Sequence, residues 1–320
     1  MLIGAGVAHF WSANLKDLPE IPANARAMAD LGREPGVTVL DRQGQVIAER
    51  GARFGTRVAL SDLPPWVPNA FLAAEDRRFY QHGGLDWQAV GRATMVNLRA
   101  GRSVEGASTL TQQLARNLFL SRERTFKRKI QEAILAIRLE HALSKDQILE
   151  LYLNRVYLGE GAYGVDAAAR AYFGKPARAL TPAEAAVLAA LPKAPSLINP
   201  VRDEAAALRR ARLVLTRMKA EGWIDDARYR LALRQRLALA QPREEGDFGW
   251  IADMAARAAR EAVDKNARSL GRDLIVQTTL DPGLQASAAR TLRDTLQARP
   301  ETRGAQGAIV VLGRDGEILA

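Results

Sequence analysis

Leu72-Ala-Ala-Glu75-Asp76-Arg-Arg-Phe79-Tyr-Gln-His82-Gly-Gly84 opens the stretch that decides the fold. It continues through Gly106-Ala-Ser108-Thr109-Leu-Thr-Gln112-Gln113-Leu-Ala-Arg116-Asn117 and closes on Arg128-Lys129-Ile-Gln-Glu132. Apolar residues recur at spacings of three and four from Asn69 to Tyr80 and from Trp87 to Leu98, which predicts helices. Thr125 to Leu143 is the clearest amphipathic helix. Phe126, Ile130, Ile134 and Ile137 form one stripe of it, with Arg128 and Glu132 on roughly the opposite side. Two glutamates with hydroxyls, amides and a guanidinium between them describe a polar cleft built on helices.

Downstream, Ser144-Lys-Asp-Gln147 is a capping box that starts a helix through Asn154. Thr181-Pro182-Ala-Glu184 combines cap, first-turn proline and a glutamate at the third helical position. Helical patterning continues to about Leu237. Upstream, Asn14 to Pro35 reads as a linker, and Val37 to Leu40, a turn at Gly44 and Gln45 to Ala48 as a strand, turn and strand. Polar Gln241 to Asp247 is the expected boundary. Beyond it come a helix from Trp250 to Arg268, a β-like run from Leu274 to Thr279 and a helix from Asp281-Pro282. Ala308 to Leu312 and Glu317 to Ala320 read as a hairpin cut off in its second strand, so the chain is expected to be a fragment.

With 48% hydrophobic and 26% charged residues, 320 residues suffice for two folded domains. The net charge of +10 calls for an anionic partner: nucleic acid, an acidic membrane surface or a phosphate-bearing substrate. Without cysteine there are no disulfides or thiolate metal sites, and three scattered histidines do not make a metal centre. Met1 to Trp11 is apolar for too few residues to span a bilayer, which needs about 20. It reads either as an interfacial terminus or as the last turns of a transmembrane helix that begins outside this chain.

Among residues fit for chemistry, Glu75 ends an apolar helix and lies next to Asp76, so burial and a like charge would both raise its carboxyl pKa, as a general base requires. A surface Glu-Asp pair at a helix end is the plainer reading. Glu132 lies four residues after Arg128 and three after Lys129, which an ordinary solvated ion pair explains. Ser108, Thr109, Gln112 and Gln113, with Arg116 one turn on, could present neutral donors and a guanidinium to a phosphate. Their plainer role is a polar helix start. Arg116, Arg122, Arg124, Lys127, Arg128 and Lys129 form a basic run against one acid, Glu123. His82 reads as a structural hydrogen-bonder, Gly159-Glu-Gly161 as a tight turn before a helix, and Lys193 as a cation on a proline-flanked loop.

The order of these motifs is more specific than any one of them. Glu75-Asp76-x-x-Phe79-x-x-His82-x-Gly84, Gly106-Ala-Ser-Thr-Leu-Thr-Gln-Gln-Leu-Ala-Arg-Asn117, Arg128-Lys-x-x-Glu132, Ile148-Leu-Glu-x-Tyr-Leu-Asn154 and Ala169-x-x-Tyr172-Phe-Gly-Lys175 together resemble the five-motif signature of the lysozyme-like peptidoglycan glycosyltransferases. These are the polymerising domains of class A penicillin-binding proteins and their monofunctional relatives. The match covers about Val37 to Trp223. Glu105, Ala107 and Arg116 stand where that family commonly has Gln, Gly and Lys. Val276-Gln-Thr-Thr-Leu-Asp-Pro-x-Leu-Gln285 and Gly307 to Leu312 look like the entry to the transpeptidase domain of the bifunctional members. Ser-x-x-Lys and Lys-Thr-Gly are missing, so transpeptidation is not expected of this chain.

The resemblance implies a mainly α fold: a lysozyme-like helical glycosyltransferase domain with a small N-terminal β-hairpin, then a linker and the truncated start of an α/β transpeptidase domain. The corresponding divisions are a membrane-proximal remnant and linker at 1–35, the glycosyltransferase at 36–240, and the linker and transpeptidase start at 241–320. It implies inverting transfer. Glu75 would deprotonate the GlcNAc 4-hydroxyl of lipid II as this attacks the lipid-linked strand, and undecaprenyl diphosphate would leave. Ser108, Thr109, Gln112, Gln113, Arg116, Asn117, Arg128 and Lys193 map onto the diphosphate-sugar site, with Asp76, Phe79 and His82 supporting it. Glu132 would organise those cations or a divalent ion, Mg or Mn, bridging to the diphosphate. Expected partners are lipid II, the lipid-linked glycan strand and an anionic membrane surface, with no nucleic acid. The expected location is the outer, periplasmic side of a bacterial cytoplasmic membrane. Two rivals are a lysozyme-like glycan hydrolase, which needs no diphosphate site, and a non-catalytic basic module for membranes or nucleic acid.

Overall fold

The structure is a computed structural model that describes residues 18–22, 24–29, 31, 35–102, 106–120, 123, 125–193, 199–240, 248–266, 273–298, 301 and 305–320. Met1 to Trp11, Glu105, Arg122, Arg124 and the Gln241 to Asp247 boundary lie outside them. The chain divides into two compact units, residues 1–32 with 54–240, and residues 33–53 with 241–320.

The first unit is helical. In order it contains α1 (Ala25–Ala29), α2 (Trp66–Glu75), α3 (Trp87–Ala100), α4 (Leu110–Phe119), α5 (Phe126–Ala142), α6 (Lys145–Arg155), α7 (Val165–Phe173), α8 (Pro182–Ala190), α9 (Glu204–Ala220) and α10 (Asp226–Arg234). Local chemistry sets the starts of several. Ser144 and Gln147 form the capping box of α6, and Thr181 and Glu184 that of α8 with its first-turn proline. Every residue of α8 from Ala183 to Ala190 is buried, and its alanines let α2 and α9 pack against it. Its one charge, Glu184, is neutralised by Lys175 at 2.7 Å. Phe71, Phe79, Tyr152 and Tyr172 fill the middle of this core.

Two expectations change here. The segment Asn14 to Pro35 is not only a linker: α1 lies in it, Met28 is fully buried in the helical core, and the Arg155 guanidinium donates to the Ala29 and Leu31 carbonyls. The core-facing side of α5 also differs from the Phe126/Ile130/Ile134/Ile137 stripe. Glu132, Leu135, Ala136 and Leu139 are buried, whereas Phe126 is 79% exposed. α5 is apolar on two faces, and spacing alone does not say which of them meets the rest of the unit.

The second unit holds β1 (Val37–Leu40), β2 (Val46–Arg50), α11 (Gly249–Asn266), β3 (Leu274–Gln277) and α12 (Pro282–Ala298). β1 pairs antiparallel with β2 and parallel with β3, with Val37 opposite Leu274, giving the order β2-β1-β3. Ala252 and Ala256 of α11 pack on Val37, Val39 and Ala48. The hairpin placed by sequence in the 36–240 domain therefore shares its sheet and its small core with residues beyond 241. Near the chain's end, Leu312 bridges Ile318 in the hairpin that was expected there.

Candidate active site

Two helix termini meet in the first unit through one buried carboxylate. α2 ends on Glu75, and the next residue, Asp76, is buried. Asp76 accepts from the Leu110 amide at the start of α4 (3.0 Å) and from His82 Nε2 (3.0 Å). His82 in turn packs edge-on against Phe79. Gly84 follows with φ +85°, and an added Cβ there would lie 3.0 Å from the Ala136 carbonyl of α5, so glycine lets the loop cross that helix closely. The Thr109 hydroxyl donates to the Gly84 carbonyl (2.6 Å) and accepts from the Gln112 amide, while Gln112 Oε1 accepts from the Thr109 amide. Thr109 and Gln112 are thus the capping box of α4. These interactions commit the Thr109 hydroxyl and the Gln112 carbonyl oxygen to the scaffold rather than to a ligand.

Gln113 is one residue further along and faces Glu75. Its Nε2 donates to Glu75 Oε2 at 2.6 Å, and the Tyr152 hydroxyl lies 3.4 Å from its Oε1. Burial, and then the charge of Glu75, push the Tyr152 hydroxyl well above its usual pKa, so it remains a neutral donor that orients the Gln113 amide. Glu75 Oε1 is buried and has no hydrogen-bond partner among the described residues. One carboxylate oxygen is therefore held and the other is open to accept a proton.

A second cluster lies on α5. Glu132 is only 1% exposed; one of its oxygens pairs with Arg128 and the other with Lys129 Nζ at 2.8 Å. Lys129 Nζ also donates to the Ser108 hydroxyl oxygen at 2.8 Å, tying the loop before α4 to α5. Arg128 Nε is buried without a partner among the described residues. The solvated ion pair suggested by spacing is replaced by a buried carboxylate that fixes two cations. Because both Glu132 oxygens are already engaged by cations, the residue does not fit as a ligand for Mg or Mn. Asp76, His82 and Asp86 also bring ligand-type atoms within 4.8 Å of one another, but Asp76 serves His82 and Leu110, and Asp86 serves Arg78 and the Ala89 amide.

Arg116 is half-buried on α4 and Asn117 is exposed there. Lys193 ends a short 3-10 turn after α8 and lines a small pocket with Glu75, Arg210 and Arg217; Ser108, Gln113 and Arg128 do not line it. Sequence reasoning named Lys129 only in the basic run and as a neighbour of Glu132, and missed Tyr152 and Arg217, whose guanidinium donates to the Ala73 and Ala74 carbonyls at the end of α2 (3.2 and 3.3 Å). Tyr152 lies inside the Ile148 to Asn154 motif, which was the one available signal for it.

The family described as Transglycosylase matches residues 43–219, over half of the chain. The chain belongs to the transglycosylase family. This transglycosylase is 45% identical over 259 residues to penicillin-binding protein 1A of Aquifex aeolicus, covering 81% of this chain and 35% of that protein. It is 38% identical over 319 residues to penicillin-binding protein 1A of Escherichia coli, covering 99% of this chain and 37% of the other. It thus spans about a third of the length of the curated relatives it matches. The crystal structure of penicillin-binding protein 1A from Haemophilus influenzae shares its fold, with a TM-score of 0.53 at 24% identity, over 89% of this chain and 33% of the other. Glu75, the Gln113 amide and the Glu132 cluster all fall within the matched transglycosylase residues.

Proposed function

We propose that this transglycosylase is a peptidoglycan glycosyltransferase that polymerises lipid II into glycan strands with inversion and release of undecaprenyl diphosphate. The observation that carries the reading is the asymmetry at Glu75: one oxygen fixed by Gln113, the other buried and unpartnered. Such a carboxylate is suited to take the proton of an attacking sugar hydroxyl, the general-base part of glycosyl transfer. Ser108, Lys129 and Arg128, held by Glu132, supply positive charge and donors for a departing diphosphate, and Arg116 and Asn117 extend that polar surface. Preorganised cations need no reorientation as charge develops on the leaving group, which is why the buried Glu132 matters although it moves no proton. Thr109 and Gln112 serve by fixing the start of α4, and Asp76, Phe79 and His82 by joining α2 to it. Lys193 belongs with Glu75 rather than with the Ser108 group.

The expected setting is the outer face of a bacterial cytoplasmic membrane. Trp87, Val90, Met95 and Leu98 are all exposed on one face of α3, and Trp87 and Leu98 are 73% and 80% exposed. With the net charge of +10, that face suits a surface of anionic lipid headgroups over acyl chains. No helix among the described residues is long and apolar enough to cross a membrane.

Incubation of the purified chain with lipid II tests the reading. Growth of glycan strands with release of undecaprenyl diphosphate supports it. Shortening of preformed glycan with no growth from lipid II would replace it with the hydrolase reading, for which a diphosphate site has no use.

A further inference from the structure

The segment that follows α6 builds a stack of aromatic rings outside the catalytic cluster. Gly164, at φ +83°, lets it fold back: an added Cβ there would lie 2.7 Å from the Asn154 carbonyl, and the Gly164 amide donates to the Val156 carbonyl (2.8 Å). Tyr157 and Tyr163 thereby bridge antiparallel with ring centroids 4.9 Å apart, and Tyr163 stacks on Phe54 at 4.9 Å and 23°. The Arg155 guanidinium, 5.3 Å from the Phe54 ring centroid, closes the inner end of this ladder. Phe54 and Tyr163 are half-buried, and Tyr157 at the outer end is 37% exposed. The other four tyrosines of the chain direct their hydroxyls to Asp146, Gln113, the Leu158 carbonyl and Thr216. The Tyr157 and Tyr163 hydroxyls have no partner among the described residues.

We propose that this ladder binds the β-1,4-linked amino-sugar backbone of the growing glycan strand, with the Tyr157 ring as a platform and the two free hydroxyls as its hydrogen-bonding groups. The inference rests on the function proposed above and deepens it. A pyranose ring joined through equatorial bonds has flat C–H faces and a rim of hydroxyl and amide groups, so it suits an aromatic face bordered by neutral donors and acceptors. The ladder has that chemistry and no free charge: Arg155 is held by the Ala29 and Leu31 carbonyls, and the Glu160 carboxylate in the same turn accepts from Asn199 Nδ2. Such a surface does not select a diphosphate or an anionic headgroup, which need cations. The chain itself bounds the distance to the base. Tyr157 follows Tyr152 by five residues, so their Cα atoms lie within about 18 Å of each other. Tyr152 in turn reaches the Gln113 that holds Glu75. A strand lengthening at Glu75 covers such a distance after a few additions, and a platform there slows its dissociation between them.

Calorimetric titration of the full chain with chitohexaose, a β-1,4-linked N-acetylglucosamine oligomer that carries neither lipid nor phosphate, tests the site. Tyr157→Ala should weaken binding about three- to tenfold, the size of one ring's stacking contribution. Tyr157→Trp keeps both a ring and a polar donor and should bind within about twofold of the unmutated chain, which separates loss of the platform from a general effect of substitution. With lipid II as substrate, strands made by Tyr157→Ala should be shorter by about twofold or more once equal amounts of lipid II have been consumed, because a weaker hold on the strand shows mainly in its dissociation rate. Tyr157→Trp should restore their length. No chitohexaose binding by the unmutated chain, equal affinity in Tyr157→Ala, a loss in Tyr157→Trp as large as in the alanine variant, or strands of unchanged length would each overturn the proposal. Failure of the unmutated chain to polymerise lipid II while Tyr157-dependent chitohexaose binding persists would instead remove the underlying glycosyltransferase reading, so the two failures are distinguishable.

Discussion

Replacing Glu132 by glutamine keeps the side chain's size and removes the charge on which Arg128 and Lys129 converge. The two cations do not respond equally. The Lys129 side chain is 44% exposed and can turn to water, so its pairing contributes at most about 1 kcal/mol. The Arg128 side chain is 16% exposed, and its Nε already lacks a partner among the described residues, so it is left as an uncompensated charge. Breaking a buried pair from one side costs about 3–5 kcal/mol, of which a glutamine oxygen can restore about 1 kcal/mol by accepting from Arg128. The expected loss for Glu132→Gln is about 2–4 kcal/mol. With a urea slope of about 2–3 kcal/mol/M, the unfolding midpoint falls by about 1 M. The two released cations should also lower polymerisation of lipid II by about tenfold or more. A midpoint shift below about 0.2 M with unchanged activity would refute the reasoning, returning Glu132 to the solvated ion pair that its spacing alone suggests.

Gly84→Ala should destabilise the chain by about 1–3 kcal/mol, because φ is +85° and the new Cβ meets the Ala136 carbonyl at 3.0 Å; urea unfolding measures it. Tyr152→Phe removes the donor that orients Gln113, and should lower the polymerisation rate several-fold with a stability loss of about 1 kcal/mol, read by paired rate and unfolding measurements. Asp86 should make stability acid-sensitive. Burial raises its carboxyl pKa, but the Arg78 hydrogen bond, the Ala89 amide and the Arg78 and His82 charges outweigh that and hold it below the usual value. A folded pKa below the unfolded one gives stability that is present above about pH 4 and lost as the pH falls through the depressed value. Asp86→Asn should therefore flatten the Asp86-dependent part of the acid limb of an unfolding-versus-pH curve.

Local signals in this sequence were read correctly where the physics is local. The capping boxes at Ser144 and Thr181 start helices where expected, and the Gly159 to Gly161 turn precedes α7. The motif order identified the family from residues that prove to be neighbours in space. Long-range choices were not legible. β1 pairs with β3, which enters the sheet from beyond residue 270, and nothing in either strand names its partner. α5 carries isoleucines on one side and Leu135 and Leu139 on another, so its periodicity fits either orientation, and the buried one takes Glu132 inside. In the site, Glu75 was read from its place after an apolar run. Its partner Gln113, and Tyr152 behind it, meet only through the packing of α2, α4 and α6. Thr109 and Gln112 resembled ligand donors because a capping box uses the same residue types as a phosphate cradle. The neighbours of Lys193 on α9, Arg210 and Arg217, are remote in sequence, so their meeting beside Glu75 was not legible.

The rate of lipid II polymerisation by Glu75→Gln, compared with the unmutated chain at equal folded concentration, tests the central claim most directly. Glutamine keeps the shape and the contact with Gln113 but accepts no proton, so a fall of about 10²–10⁴-fold is expected, with the unfolding midpoint little changed. A variant that polymerises lipid II within a few-fold of the unmutated rate would contradict the assignment of Glu75 as the base.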